Sequence, residues 1–296
     1  MGFIERLRGG EAGPPVFAPR LTRLAARLEQ VSPDRLEADP GALARTLHAA
    51  QRLLGLETIV LDGTRALTEA CRPPTSSQGG RWRTFDPDVV VRSPRFALVG
   101  DAVAWLRSAT PETTGSIVLL PGPWALAAGL GPGAPPTADA LEAAGDACVG
   151  AARALAEARV AAVMVAEGRV PPGLLDEAAA GLRSVCTALR YYGVASVVCL
   201  ANAGAAEGPL GDSAGADVVV VPAESPVRSS WGRGGRGLAL PTAWFLATRT
   251  GDLAAVRDAL AAFPGVRLMT TAAEIPEATA PESIREMLAI IRSVGS

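Results

Sequence analysis

The sequence predicts an α/β fold: a (β/α)8 TIM barrel made of one domain. Three observations predict it. Eight short apolar runs recur along the chain, at Pro15–Pro19, Thr58–Asp62, Ile117–Pro121, Ala161–Glu167, Ser196–Asn202, Asp217–Glu224, Leu238–Phe245 and Val266–Thr271. Each is followed by a helical or irregular stretch, and strands that alternate with helices pair in parallel. The length of 296 residues suits a single barrel with modest loops.

The elements come in order along the chain. Phe3–Arg8 reads as a short helix and Gly9–Pro14 as a turn into the first strand. Asp39–Pro40 opens a helix whose Leu43, Leu47, Leu53 and Leu54 recur near helical period, and Gly55 stops it. The run TIVLD then forms the second strand. Arg72–Pro87, rich in Pro, Ser, Gly and Arg, is the longest irregular stretch, and its place after the second strand makes it a candidate lid loop. Ser93–Ser108 is a helix with Val99, Val103, Trp105 and Leu106 facing the core. Thr137–Ala158 and Pro172–Tyr192 are long helices. The strands after them are apolar nearly throughout, as strands covered on both faces are. Ser225–Gly237 holds too many glycines for a helix, so this crossover is short or irregular. Within it, Gly232–Gly237 has the glycines to wrap a phosphate with backbone amides, but it lacks a preceding strand and following helix in the P-loop arrangement and reads as a flexible loop. Asp252–Phe263 and Pro281–Val294 complete the alternation, with Pro281 at a first helical position.

Composition excludes several classes. The chain is 49% hydrophobic and 20% charged, ordinary for a globular protein, and its aromatic content of 4% leaves the core to Ala, Val and Leu. A net charge of −2 argues against a nucleic-acid or anionic-membrane binder. All 28 basic residues are arginine, so there is no Schiff-base or P-loop lysine, and anions must be held by guanidinium forks or backbone amides. The opening segment lacks an apolar signal core, and no run of about 18 apolar residues is free of charges or breakers. The four cysteines show no metal spacing. A cytoplasmic protein with reduced thiols is the expectation.

Chemistry in such a barrel sits at the carboxyl ends of the strands. Arg20 and Arg23 follow the first strand, Asp62 ends the second with Arg65 just after, Glu167 ends the fourth, Asn202 the fifth, and Glu224 the sixth, followed by Arg228. Singly, Asp62 reads equally as a helix cap and Glu224 as a surface partner of Arg228. Three carboxylates at the ends of three apolar strands are another matter, because a charge there costs desolvation unless it is paired or used. Asp62, Glu167 and Glu224 are therefore the candidate catalytic set, and Arg20, Arg23, Arg65, Asn202 and Arg228 the candidate substrate-binding set. The one histidine, His48, falls inside a helix away from the strand ends, which argues against a Ser-His-Asp triad or a histidine-rich zinc site. Cys199 is the one cysteine near a strand end, with no histidine to activate it, and reads as core.

Several stretches resemble the uroporphyrinogen decarboxylase family of (β/α)8 barrels. FIERLRGGEAGPPV (Phe3–Val16) is similar to the family's opening helix, turn and first strand. ADPGALARTLHAAQRLLGLETIVLD (Ala38–Asp62) resembles its second unit, LPGPWALAAGL (Leu120–Leu130) its GxPWTL stretch, and EIPEATAPESIREMLAIIR (Glu274–Arg292) its closing segment. The resemblance implies that Arg20 stands at the first of two carboxylate-binding arginines, with Arg23 one position short of the second. It also implies that Asp62 stands at the aspartate that contacts pyrrole NH groups. Gly129 occupies the expected tyrosine position and Ala273 that of a histidine, so the usual catalytic set is incomplete. The superfamily also holds corrinoid-linked and cobalamin-independent methyltransferases, whose zinc is bound by a His-x-Cys pair after the fifth strand and a cysteine near the eighth. Here those stretches read CLANAG and TTAAE.

The expectation is a metal-independent, decarboxylase-type lyase that acts on an anionic or polycarboxylated small molecule and needs no cofactor. Arg20 and Arg23 clamp carboxylates, Asp62 orients a ring NH, and Glu167 or Glu224, raised in pKa by burial, moves a proton. One alternative is a methyltransferase of the same superfamily with another metal set, for example Glu167, Cys199 and Glu224. A second is a non-catalytic barrel that binds a tetrapyrrole or corrinoid or serves as an enzyme subunit. The Ala-rich helix faces are compatible with a homodimer.

Overall fold

The structure, a computed structural model, describes residues 2–9, 13–72, 90, 92–111, 113–130, 135–201, 208–224, 235–247, 253–263 and 265–294. Among these, eight strands form one parallel sheet: β1 (Val16–Ala18), β2 (Thr58–Asp62), β3 (Gly115–Pro121), β4 (Ala162–Glu167), β5 (Ala195–Leu200), β6 (Val218–Pro222), β7 (Gly235–Leu240) and β8 (Val266–Thr271). Their order is β1-β8-β7-β6-β5-β4-β3-β2. The two end strands lie side by side, and Thr58 Oγ1 donates to the Phe17 carbonyl at 2.7 Å across the join. A single-domain (β/α)8 barrel results, with the helices outside.

Period-2 alternation sorts each strand between two cores. Val60, Ile117, Leu119, Met164, Val197 and Leu268 fill the lumen. Val118, Leu120, Val163, Val165, Val198 and Leu238 face the helix layer. The amino end of the lumen is closed by helix α1 (Phe3–Arg8), whose Phe3 and Leu7 join the lumen cluster. A Cβ on Gly115 would lie 2.4 Å from the Phe3 ring, so the plug needs glycine at that position. Arg8 adds an ion pair to Asp217 at 3.4 Å beneath the strands.

The predicted helices form where their punctuation places them. Asp39 accepts from the Ala42 amide at 3.0 Å at the start of Pro40–Leu54, and Gly55 ends that helix at φ 70°. Thr137 caps Ala138–Glu157, and Pro281 begins Pro281–Val294. The helix expected over Ser93–Ser108 spans Pro94–Ala109. His48 sits in Pro40–Leu54 with its ring 6.2 Å from that of Trp105, which is a packing role. Among the described residues no helix is long and apolar enough to cross a membrane.

Three boundaries differ from expectation. The seventh strand runs over Gly235–Leu240 and not Leu238–Phe245, because Pro241 withdraws a ladder donor and Ala243–Ala247 turns helical. The last three residues of the expected Gly232–Gly237 loop, from Gly235, are therefore strand. Gly237 faces the lumen, where a Cβ would lie 2.6 Å from Val220 Cγ2. The sixth strand stops at Pro222, which leaves Glu224 in an exposed turn, and the fifth stops at Leu200 before Asn202. Residues 73–89, which hold most of the candidate lid loop, lie outside the described residues, as do Asn202 and Arg228.

Candidate functional site

The mouth of the barrel is built from the turns after β1, β2 and β8. Arg20 leaves β1 and its Nη2 donates to Asp62 Oδ2 at 3.0 Å. The other Asp62 oxygen accepts from the Thr64 amide at 2.9 Å. Asp62 shares lumen parity with Thr58 and Val60, so its carboxylate stands at the lumen rim and also holds the turn into Thr64–Ala70. The Arg20 backbone is fixed as well. Its amide donates to Thr271 Oγ1 at 3.1 Å, and its carbonyl accepts from the Ile275 amide at 2.8 Å. The Nε of Arg20 is buried and has no hydrogen-bond partner among the described residues. The guanidinium is held on one edge by a carboxylate, and its side chain remains about a quarter exposed at the rim.

Beneath Arg20, the last inward side chains of β4, β5 and β7 are Ala166, Cys199 and Ala239, all half-buried. Cys199, expected to be core, packs on the lumen cluster and is half-buried at the upper end of that cluster. Burial pushes its thiol up to about 12, and the charge of Arg20, across the barrel, pulls the other way. The remaining cysteines, Cys71, Cys148 and Cys186, are buried.

Glu167 is placed differently from Asp62. Its strand sends Ala162, Met164 and Ala166 into the lumen and Val163 and Val165 to the helix layer, and Glu167 continues the second series. The carboxylate is 1% exposed and accepts from the amides of Trp124 at 3.2 Å, Ala125 at 2.8 Å and Gly168 at 3.1 Å. It sits on the first turn of the helix Pro123–Leu130, where free N–H groups and the helix dipole favour an anion. Burial raises its carboxyl to about 7 against the downward pull of those three N–H groups. A Cβ on Gly122 would lie 2.4 Å from Glu167 Oε2, so only glycine lets β3 pass so close.

The other candidates are dispersed. Glu224 is exposed in its turn. The Arg23 side chain is exposed, while its amide donates to Glu274 Oε1 at 2.6 Å, which ties the turn after β8 to the turn after β1. Arg65 is engaged by Glu37 at 2.6 Å and Glu69 at 2.8 Å; Glu69 in turn meets Arg95 at 2.8 Å. That network surrounds three helices outside the barrel and raises the Arg65 guanidinium pKa, chiefly through the hydrogen bond to Glu69. Gly129 and Ala273, at the expected tyrosine and histidine positions, are both exposed. The suggested metal set of Glu167, Cys199 and Glu224 does not converge, because Glu167 faces the helix layer and Cys199 the lumen. No group of three His, Cys, Asp or Glu side chains among the described residues is placed to hold a metal ion.

Sequence reasoning missed Thr271 and Gly122. For Glu167 a signal was present: counting by twos from the apolar residues of β4 places it on the Val163–Val165 side.

No protein-family model and no curated protein sequence matches the chain. Solved structures do. A methyltransferase from Methanosarcina mazei is similar at a TM-score of 0.80 and 15% identity, over 98% of this chain and 97% of that one. A B12-independent methionine synthase from Shewanella sp. W3-18-1, solved with selenomethionine, is similar at a TM-score of 0.57 and 13% identity, over 90% and 89%. The chain is thus a TIM barrel whose structural neighbours include methyltransferase-type barrels.

Proposed function

We propose that this protein is a one-carbon (methyl) transferase-type barrel of the superfamily that also holds the uroporphyrinogen decarboxylases, and that it binds an anionic substrate at the carboxyl mouth. The whole-chain likeness to a methyltransferase, at a TM-score of 0.80, carries the reading. Arg20 receives the anion, Asp62 orients the guanidinium, and Thr271 fixes the backbone from which it projects. Zinc of the kind the methyltransferase branch uses does not fit these residues. The one histidine is packed on Trp105, and Cys199 is the one cysteine at the mouth.

The test supplies 13C-methyl donors (N-, O- and S-methylated small acids) with a thiol or reduced cobalamin as acceptor. Label transfer that Arg20→Gln reduces at least tenfold is the expected result. Absence of transfer from every donor, with the folded barrel intact, sinks the assignment.

A second reading has a specific observation behind it. Arg20 and Asp62, which the resemblance equates with decarboxylase substrate contacts, meet at 3.0 Å at the rim. A decarboxylase-type lyase would release carbon dioxide from a polycarboxylate such as uroporphyrinogen with no methyl acceptor present, and that release distinguishes the two.

A further inference from the structure

The floor of the mouth is not polar. Ala166, Cys199 and Ala239 end the lumen series of β4, β5 and β7, all small and all half-buried, whereas the layer below them is closed by Met164, Val197 and Val220, each at most 1% exposed. On β7 there is no deeper room, since a Cβ on Gly237 would already lie 2.6 Å from Val220 Cγ2. Small side chains over a filled layer leave a shallow apolar pit. At its rim are Arg20, with an unpartnered Nε, and Asp62. Arg20 continues the lumen series of Val16 and Ala18, so its guanidinium stands over the same barrel mouth as these side chains.

We propose that the mouth takes an anion bearing a short apolar arm: the anionic group on Arg20, the arm seated on Ala166, Cys199 and Ala239, with Cys199 setting the arm's length. This rests on the reading of Arg20 as the anion receptor. A carboxylate or phosphate fits the exposed part of the Arg20 guanidinium, which Asp62 orients from the other side. The arm gains by leaving water for the apolar floor, at about a fourfold tighter affinity per methylene buried, and the gain stops once the pit is full.

Two measurements on the full chain test this. Calorimetric titration with acetate, butyrate and hexanoate is expected to show affinity rising from acetate to butyrate and levelling at hexanoate. Cys199→Leu, or Ala239→Val where that variant fails to fold, should abolish the rise and spare acetate binding. Alkylation of Cys199, followed by peptide mass spectrometry at pH about 9, should favour iodoacetate over iodoacetamide by at least tenfold relative to N-acetylcysteine. Arg20→Gln should return that ratio to the free-thiol value. Equal affinities for acetate and butyrate, both lost in Arg20→Gln, would overturn the pit and leave the anion receptor standing. No carboxylate binding that depends on Arg20 would overturn both.

Discussion

Asp62 and Glu167 both end apolar strands of the same barrel, yet they live in different surroundings. Asp62 points to the lumen rim, is about a third exposed, and has an arginine and one amide for company. Glu167 points the other way, is sealed from water, and rests on three amides of its own scaffold. One carboxylate is arranged around the rim of the lumen. The other is arranged around a helix start. Strand-end position alone does not make a residue part of the site. The face it occupies decides, and one residue of offset reverses that face.

The comparison can be broken most forcefully at Gly122. Gly122→Ala drives a Cβ to 2.4 Å from the Glu167 carboxylate, which backbone amides hold in place. About 3 kcal/mol of destabilisation is expected, measured by urea unfolding. A loss below about 1 kcal/mol would mean that the carboxylate is free to move and the contrast with Asp62 is overstated.

The next test uses pH. Glu167 has its folded pKa raised from 4.5 to about 7, chiefly by burial. A raised carboxyl contributes relative stability that is full below about pH 4.5 and lost as pH rises through about 7. Stability should therefore slope downward across that window, by on the order of 3 kcal/mol at most. Glu167→Gln should flatten this part of the profile, as read by denaturant midpoints at half-unit pH steps. An unchanged slope in the variant would assign the titration to another group.

Asp62 should behave in the opposite manner. Asp62→Ala removes a half-exposed pair and one turn contact, so stability should fall by only about 1 kcal/mol. Binding of acetate or butyrate should weaken severalfold as the Arg20 fork loses its orientation, which calorimetry would report. Large destabilisation with unaltered binding would make Asp62 a structural cap like Glu167. The smallest effect belongs to Arg65, held by Glu37 and Glu69 outside the barrel. Arg65→Gln should change stability by about 0.5 kcal/mol or less and leave anion binding alone. A binding defect there would extend the site beyond the rim.

The barrel was legible in the sequence because periodicity and punctuation are local properties. Asp39–Pro40 and Gly55 delimit their helix from within a few residues, and TIVLD and VRLMTT form strands at the positions expected. Strand-end placement and the family resemblance both single out Arg20 and Asp62, and the structure brings their side chains together at 3.0 Å. Tertiary structure decided the rest. Gly235 and Gly237 read as loop until the crowding of Val218, Val220 and Arg267 requires glycine in a strand there. Arg65, placed after β2 like a ligand contact, is drawn away by Glu37 from a separate helix. Glu167, read as a candidate catalytic acid, faces the helix layer, and Cys199, read as core, packs at the upper end of the lumen cluster. Sequence determines which residues alternate along a strand, but the face that becomes lumen is set only when eight strands close around a shared interior.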